Sequence, residues 1–293
     1  MSSNENVLPV ALTIAGLDPS GRAGVIADIR SFTAFGFASA AAITSITFQN
    51  DKELFGAEHL SADAVRRQVM AVISQDKVGC AKSGMLPTRD IVREVARLFR
   101  ETNLPAPVVD PVIRSTSGYA LIEDGALEDL LTELLPLARV VTPNIPEAER
   151  ILGLQINDVE GMRVAAKAIR ARGARAVLIK GGHLGPQASC LPEAPQNQAE
   201  VELTTDGESS VESARRMRAV PGEAIDLLDD DGRVTIFRGE WIAAANVRGT
   251  GCMLSAAIAA CLGNGMILEE SVSKAKHFVA EAIRVKSSTD FSL

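Results

Sequence analysis

Short apolar runs alternate with helix-compatible stretches through the first two-thirds of the chain, and this alternation restricts the fold more than any other feature. Residues 7–15 (VLPVALTIA) read as a buried strand, and residues 25–35 as a helix ending at Gly36. The two signals then recur. Strands are expected at 40–47, 78–83, 107–110, 139–142 and 176–180, and helices at 62–74, 88–102, 125–135, 146–152 and 159–172. Such alternation predicts an α/β fold with a mainly parallel sheet covered on both faces. Ligands of such folds sit at the C-terminal ends of the strands. Further on, runs at 224–228 and 234–237 flank Asp229-Asp230-Asp231-Gly232-Arg233 and read as a β-hairpin, followed by helices at 252–262 and 269–286. Residues 185–221, rich in Pro, Gln, Ser and acids, read as a mobile insertion. No linker interrupts the pattern, so 1–293 is expected to form a single domain.

Aromatic residues make up only 4% of the chain, so the core must rest on Ala, Val, Leu and Ile. A net charge of −7 argues against nucleic acid or an anionic membrane as partner. No apolar run is long enough to span a bilayer, and the N-terminus lacks a signal-peptide pattern. Cys80, Cys190, Cys252 and Cys261 show no CxxC spacing, which suits reduced thiols in a cytoplasmic protein. His59, His183 and His277 are too scattered to suggest a metal cluster.

The segment Arg248-Gly249-Thr250-Gly251-Cys252 runs straight into a small-residue stretch that reads as a buried helix. A helix start offers unpaired N–H groups and the positive dipole end, and glycines let an anion approach them closely. The same field is expected to lower the pKa of Cys252. Buried free cysteines are mostly packing residues, but this setting favours a functional one. Lys180-Gly181-Gly182-His183 ends a strand with a cation that can neutralise phosphate, or that is simply solvated. Asp110 closes another strand and precedes Pro111, as an ordinary turn residue also would. Asn144 and Glu147 stand three residues apart at a helix start. Locally that is a capping box; the alternative is an oxygen shell for hydrated magnesium. Gly16 to Gly24 is glycine-rich but lacks a P-loop ending, and alone reads as a tight turn.

Taken in order, these segments resemble the hydroxymethylpyrimidine/phosphomethylpyrimidine kinases of thiamine biosynthesis, within the ribokinase-like superfamily. The matching stretches include Ala15-Gly16 with Asp18-Pro19-Ser20-Gly21, Ala27-Asp28, Gln49-Asn50, Lys82-Ser83-Gly84-Met85-Leu86, Val109-Asp110-Pro111-Val112, Thr142-Pro143-Asn144, Lys180-Gly181-Gly182-His183 and Gly249-Thr250-Gly251-Cys252. The resemblance implies a three-layer α/β/α sandwich. It implies magnesium-dependent transfer of phosphate from ATP to 4-amino-5-hydroxymethyl-2-methylpyrimidine and then to its monophosphate. It assigns Gly16, Asp28, Gln49, Met85 and Val112 to the pyrimidine. It assigns Lys180, Asn144, Thr250 and Asp110 to the nucleotide, and Asn144 with Glu147 to magnesium. Cys252, Gly249, Gly251 and Lys180 become the catalytic set, and a homodimer is compatible. Two other activities fit the same motifs: a pyridoxal/pyridoxine kinase, against which Gln49 leans, and a catalytically weak pyrimidine-binding paralogue.

The chain departs from the family pattern in places. Ala245-Asn246-Val247-Arg248 stands where relatives carry Lys-Asn-Thr-His, and Arg22 replaces a usual glycine. Ile26 stands where glutamine is common, the stretch 185–221 is long for its position, and a glycine-rich C-terminal tail is absent.

Overall fold

The structure, a computed structural model, describes residues 8–50, 53–115, 118–183, 223–240, 242 and 248–289. The expected insertion at 185–221, the changes at 245–247 and the last four residues lie outside the described residues.

Nine strands form one sheet in the order β3-β2-β1-β4-β5-β6-β7-β8-β9. The six central strands, β2 (Ala38–Gln49), β1 (Val10–Leu17), β4 (Val78–Ser83), β5 (Val108–Val109), β6 (Val140–Val141) and β7 (Ala176–His183), are parallel. An antiparallel strand, β3 (Leu54–His59), closes one edge. The predicted hairpin, β8 (Glu223–Asp230) and β9 (Arg233–Glu240), closes the other.

Strand periodicity distributes the core. Leu12, Ile14, Val109, Val141, Val177 and Ile179 face one layer, with α2 (Ala62–Ile73), α3 (Arg89–Glu101), α5 (Ile145–Leu152) and α6 (Val159–Arg170). Their neighbours Ala11, Val108, Val140, Ala176 and Leu178 face the other, with α1 (Gly24–Ala34), α7 (Thr250–Gly263) and α8 (Leu268–Thr289). Both layers bury aliphatic side chains, as the scarcity of aromatics requires. Helix α7 is buried continuously from Leu254 to Cys261, and its alanines allow close approach to the sheet.

The expected helix at 125–135 is realised as α4 (Asp124–Asp129), which widens to a π segment at Leu130–Leu134 and tightens to a 3₁₀ turn at Leu135–Leu137. Strand β3 was not anticipated. Its sequence, LFGAEH, carries a glycine and an exposed polar C-terminal end because it pairs with a single neighbour, so no apolar run marks it. No described helix is long and apolar enough to cross a membrane.

The chain moves from β1 outward to β2, then returns across β1 to β4. This reversal opens a crevice beyond the C-terminal ends of β1 and β4.

Candidate active site

Three backbone features build the floor of the crevice. Gly249 is the N-cap of α7, in the left-handed region at φ 81°, and no side chain caps the helix. The first intrahelical bond runs from Met253 N–H to the Gly249 carbonyl, which leaves the N–H groups of Thr250, Gly251 and Cys252 without helical partners. A Cβ on Gly249 would overlap the Arg22 carbonyl oxygen, and one on Gly24 would overlap that of Gly16. The late turn and the first loop are thus packed backbone to backbone. Gly249→Ala is expected to displace this turn and raise the KM for nucleotide at least about tenfold, since left-handed strain and overlap together cost roughly 1–3 kcal/mol. Unchanged nucleotide KM would show that the turn tolerates the extra atom.

Two lysine–aspartate pairs flank the turn. Lys180 Nζ lies 2.8 Å from Asp110 Oδ1, and a Cβ on Gly251 would come 3.2 Å from the same ammonium. Asp110 Oδ1 also accepts from Thr142 Oγ1 at 3.3 Å, and Oδ2 from Ser255 Oγ at 3.4 Å. Burial opposes the charge on Asp110, but the ammonium groups of Lys180 and Lys82 outweigh it and hold the carboxyl below its ordinary range. Deeper in, Lys82 Nζ contacts both oxygens of Asp28, at 2.9 and 2.8 Å, and Thr13 Oγ1 donates to Asp28 Oδ2 at 2.6 Å. All three residues are fully buried. Burial alone would strip the proton from Lys82, yet Asp28, Cys252 and Asp110 together push its pKa above the ordinary range.

Cys252 lies between these pairs, half-buried, with the Gly24 N–H donating to its sulfur. The expectation of a lowered thiol pKa does not hold. Burial pushes it up to about 11; Lys82 and the Gly24 N–H oppose this, while Asp28 and Asp110 reinforce it. Loss of solvation therefore outweighs the local positive field. At pH 8 the thiolate fraction would be about one in a thousand. Alkylation of the Cys252 peptide by iodoacetamide should accordingly be slower at pH 8 than that of a free cysteine, and should rise through pH 9–11. An inflection near pH 7 would contradict this.

An apolar part of the crevice forms around β1, β2 and β4. Met85, Leu54 and Leu121 make a small apolar cluster with Val112 packed against it, and a Cβ on Gly16 would lie 3.0 Å from Met85 Sδ. Thr44 Oγ1 fixes the Met85 carbonyl at 2.7 Å. Gln49 donates to Asp18, whose carboxylate also accepts the N–H groups of Ser20 and Ala23. Burial works against the Asp18 charge, but these donors hold its pKa below the usual value. Gly16, Met85 and Val112 thus come together as expected, and Gln49 borders the first loop. Asp28 sits deeper, its oxygens engaged by Lys82 and Thr13. Leu54, Leu121, Thr13 and Lys82 were not singled out from sequence. Only Lys82 carried a signal, a cation inside an otherwise apolar strand.

Asn144 and Glu147 form the full capping box of α5. The Asn144 side chain accepts from Glu147 N at 2.8 Å, and Glu147 Oε2 accepts from Asn144 N at 2.8 Å. Burial raises the Glu147 pKa to about 7, aided by nearby Asp110 and opposed by Lys180 and by the Asn144 and Ile113 N–H groups. Lys180 is pinned to this junction by its own N–H, which donates to the Pro143 carbonyl at 2.8 Å. Among the described residues no group of three or more His, Cys, Asp or Glu side chains is arranged to hold a metal directly. From Lys180, Thr250 and Gly251 a cleft of about 1670 Å³ opens between the β8–β9 hairpin and α8, with Phe237 and Ile283 on its walls.

A glycine turn at a helix start with unpartnered helical N–H groups, a largely buried lysine beside it and a large cleft beyond suit phosphoryl transfer from a nucleotide. Residues 18–291 match the family model described as phosphomethylpyrimidine kinase. The chain belongs to this family. Among its relatives, the hydroxymethylpyrimidine/phosphomethylpyrimidine kinase of Streptomyces coelicolor is 35% identical over 275 residues, covering 94% of this chain and 88% of that one. The crystal structure of phosphomethylpyrimidine kinase from Clostridium difficile 630 superposes with a TM-score of 0.72 at 34% identity, over 94% of this chain and 99% of that one. The pyridoxal kinase of Staphylococcus aureus, solved with AMP-PCP and pyridoxal, gives a TM-score of 0.75 at 29% identity, over 94% and 88% of the two chains. The family membership makes this chain a kinase, and its ribokinase-like three-layer sandwich is the one the motifs implied.

Proposed function

We propose that this kinase phosphorylates the hydroxymethyl group of 4-amino-5-hydroxymethyl-2-methylpyrimidine, and then the resulting monophosphate, using ATP. One observation carries the reading: the Cys252 sulfur, bonded by the Gly24 N–H, stands in the field of Lys82, Asp28 and Asp110, at the junction of the anion turn and the first loop.

In this reading the ring lies on Met85, Val112 and Gly16, and the triphosphate enters along the hairpin cleft to Lys180 and the turn. The hydroxymethyl oxygen attacks the γ-phosphorus in line as the bond to the β–γ bridging oxygen breaks, and ADP leaves. The alcohol proton passes to a phosphoryl oxygen and then to water. In the second step a phosphate oxygen of the monophosphate attacks in the same way. Amides of Gly249 to Cys252 receive charge from the transferred group, and Lys180 neutralises more of it. A loose transition state makes little demand on a base. Cys252, neutral at physiological pH, therefore orients the alcohol rather than abstracting its proton. Cys252→Ala should lower kcat about tenfold while changing the pyrimidine KM by less than about threefold. Unchanged turnover would remove Cys252 from the mechanism.

The oxygen chemistry fits a hydrated magnesium ion. Burial, reinforced by the charge of nearby Asp110, disfavours ionisation of Glu147, and a divalent cation would favour it. Asn144, Glu147 and Asp110 would hold it through water, where it would balance phosphate charge. A homodimer fits the outer sheet edge, where Phe48 and Phe55 are exposed, and sedimentation velocity would measure it.

The deciding assay supplies the pyrimidine, its monophosphate and pyridoxal separately, with ATP and magnesium, and identifies products by mass. Formation of the pyrimidine diphosphate supports the reading. Exclusive phosphorylation of pyridoxal, or pyrimidine binding without turnover, would replace it.

A further inference from the structure

Three segments distant in sequence meet at the mouth of the crevice, and each touches the other two. The late turn rests on the first loop, where Gly249 packs against Arg22 and Ala23. The first loop holds the end of β2, where Gln49 donates to Asp18. The third contact joins the end of β2 back to the late turn: Arg248 Nη1 donates to the Asn50 carbonyl at 2.9 Å, across 198 residues of sequence. Asn50 in turn shapes the corner before β3. Its N–H donates to the Glu53 carbonyl at 3.0 Å, and its side chain accepts the Glu53 N–H at 3.0 Å.

The geometry points to Arg248 as a positioning residue for the acceptor, one that straps the β2–β3 corner to the anion turn and so fixes Gln49 and Leu54 relative to Cys252. This rests on the pyrimidine-kinase reading for the identity of the acceptor. The mechanical argument is independent of it. Among the described residues β3 pairs with β2 and no other strand, so the corner that carries Gln49 and Leu54 lies at the sheet margin. The Asp18–Gln49 bond ties it to the first loop, Thr47 Oγ1 donates to the Leu17 carbonyl just behind it, and Leu54 is buried in the Met85 cluster. A tether from the residue immediately before Gly249 adds the missing side and closes a ring. The distance between the phosphoryl-receiving amides and the acceptor pocket then becomes a property of the ring. The arginine's planar, permanently charged head suits a carbonyl acceptor that must be held from the far side of an opening. Arg248 also stands where the family pattern has histidine, whose ring is too short to make the same reach.

Two measurements on Arg248→Ala test the strap, and far-UV circular dichroism with the thermal midpoint establishes that the variant folds. Hydrogen exchange at the Asn50 and Glu53 amides should speed up about five- to tenfold, while amides in the middle of β2 stay unchanged. The KM for the pyrimidine should rise by a similar factor, with kcat and the KM for ATP within about twofold. Arg248→Lys should recover part of the loss. Because Asp18→Asn loosens the same corner, its effect on KM should combine with that of Arg248→Ala non-multiplicatively. Unchanged exchange, or faster exchange with an unaltered pyrimidine KM, would overturn the proposal. Absence of wild-type turnover on any pyrimidine would instead sink the substrate reading, and with it the role toward that acceptor, while the exchange data would still report whether the strap exists.

Discussion

Lys82→Met is expected to cost about 3–5 kcal/mol of folding stability, because it leaves the Asp28 carboxylate buried without its counter-ion. Both partners are fully buried, and only the Thr13 hydroxyl would remain on Asp28. Chemical denaturation at pH 7 measures the loss as a lower midpoint with an unchanged slope. The informative companion is Lys82→Met combined with Asp28→Leu. Removing both charges of a buried pair is often neutral for stability, so this variant should regain most of the folding free energy. It should not regain activity, because Lys82 and Asp28 supply the charges beside the Cys252 sulfur that orients the alcohol, and both are gone. Recovery of turnover along with stability would reduce the pair to a structural filler.

Lys180→Met should lower kcat about 10²–10³-fold with the pyrimidine KM within about threefold, the size expected for losing one preorganised charge at the transferring group. The side chain is largely buried and bonded to Asp110, so the defect extends beyond a lost contact with phosphate. Without the ammonium, Asp110 keeps only the more distant Lys82 charge among the two that lower its pKa, and the attraction that restrains the Glu147 pKa disappears. Steady-state kinetics with both substrates varied would separate the effects. A large rise in the KM for ATP with kcat intact would assign Lys180 to binding alone.

Most of the scaffold could be read from the chain because parallel strands buried on both faces leave uninterrupted apolar runs, as at Ala176–Ile179. Strand β3 escaped because an edge strand with a single partner needs no such run. The glycine turn at 249–251 was legible as a helix start because a small-residue stretch follows it at once. Its neighbour Cys252 was misjudged in charge: sequence shows the helix terminus but not how completely the packed loop around Gly24 excludes water. Asn144 and Glu147 show a different limit. Their spacing encodes the cap, which the structure displays in full, and the same carboxylate lies close to Asp110 and Lys180 through contacts that no local pattern records. Lys82 and Asp28 are 54 positions apart, so their pairing arises from the packing of α1 on β1, beside which β4 lies in the sheet.

The two halves of the crevice are anchored very differently. The turn proposed to receive phosphate begins a helix sunk in the middle of the molecule, so altering it means repacking the interior. The pocket proposed for the acceptor leans on a marginal strand whose Phe55, Glu58 and His59 are exposed, where substitutions cost little. Lineages built on this architecture should therefore diversify in which alcohol they accept long before they change the nucleotide they consume. Laboratory selection for new acceptors would be best aimed at residues 46–58.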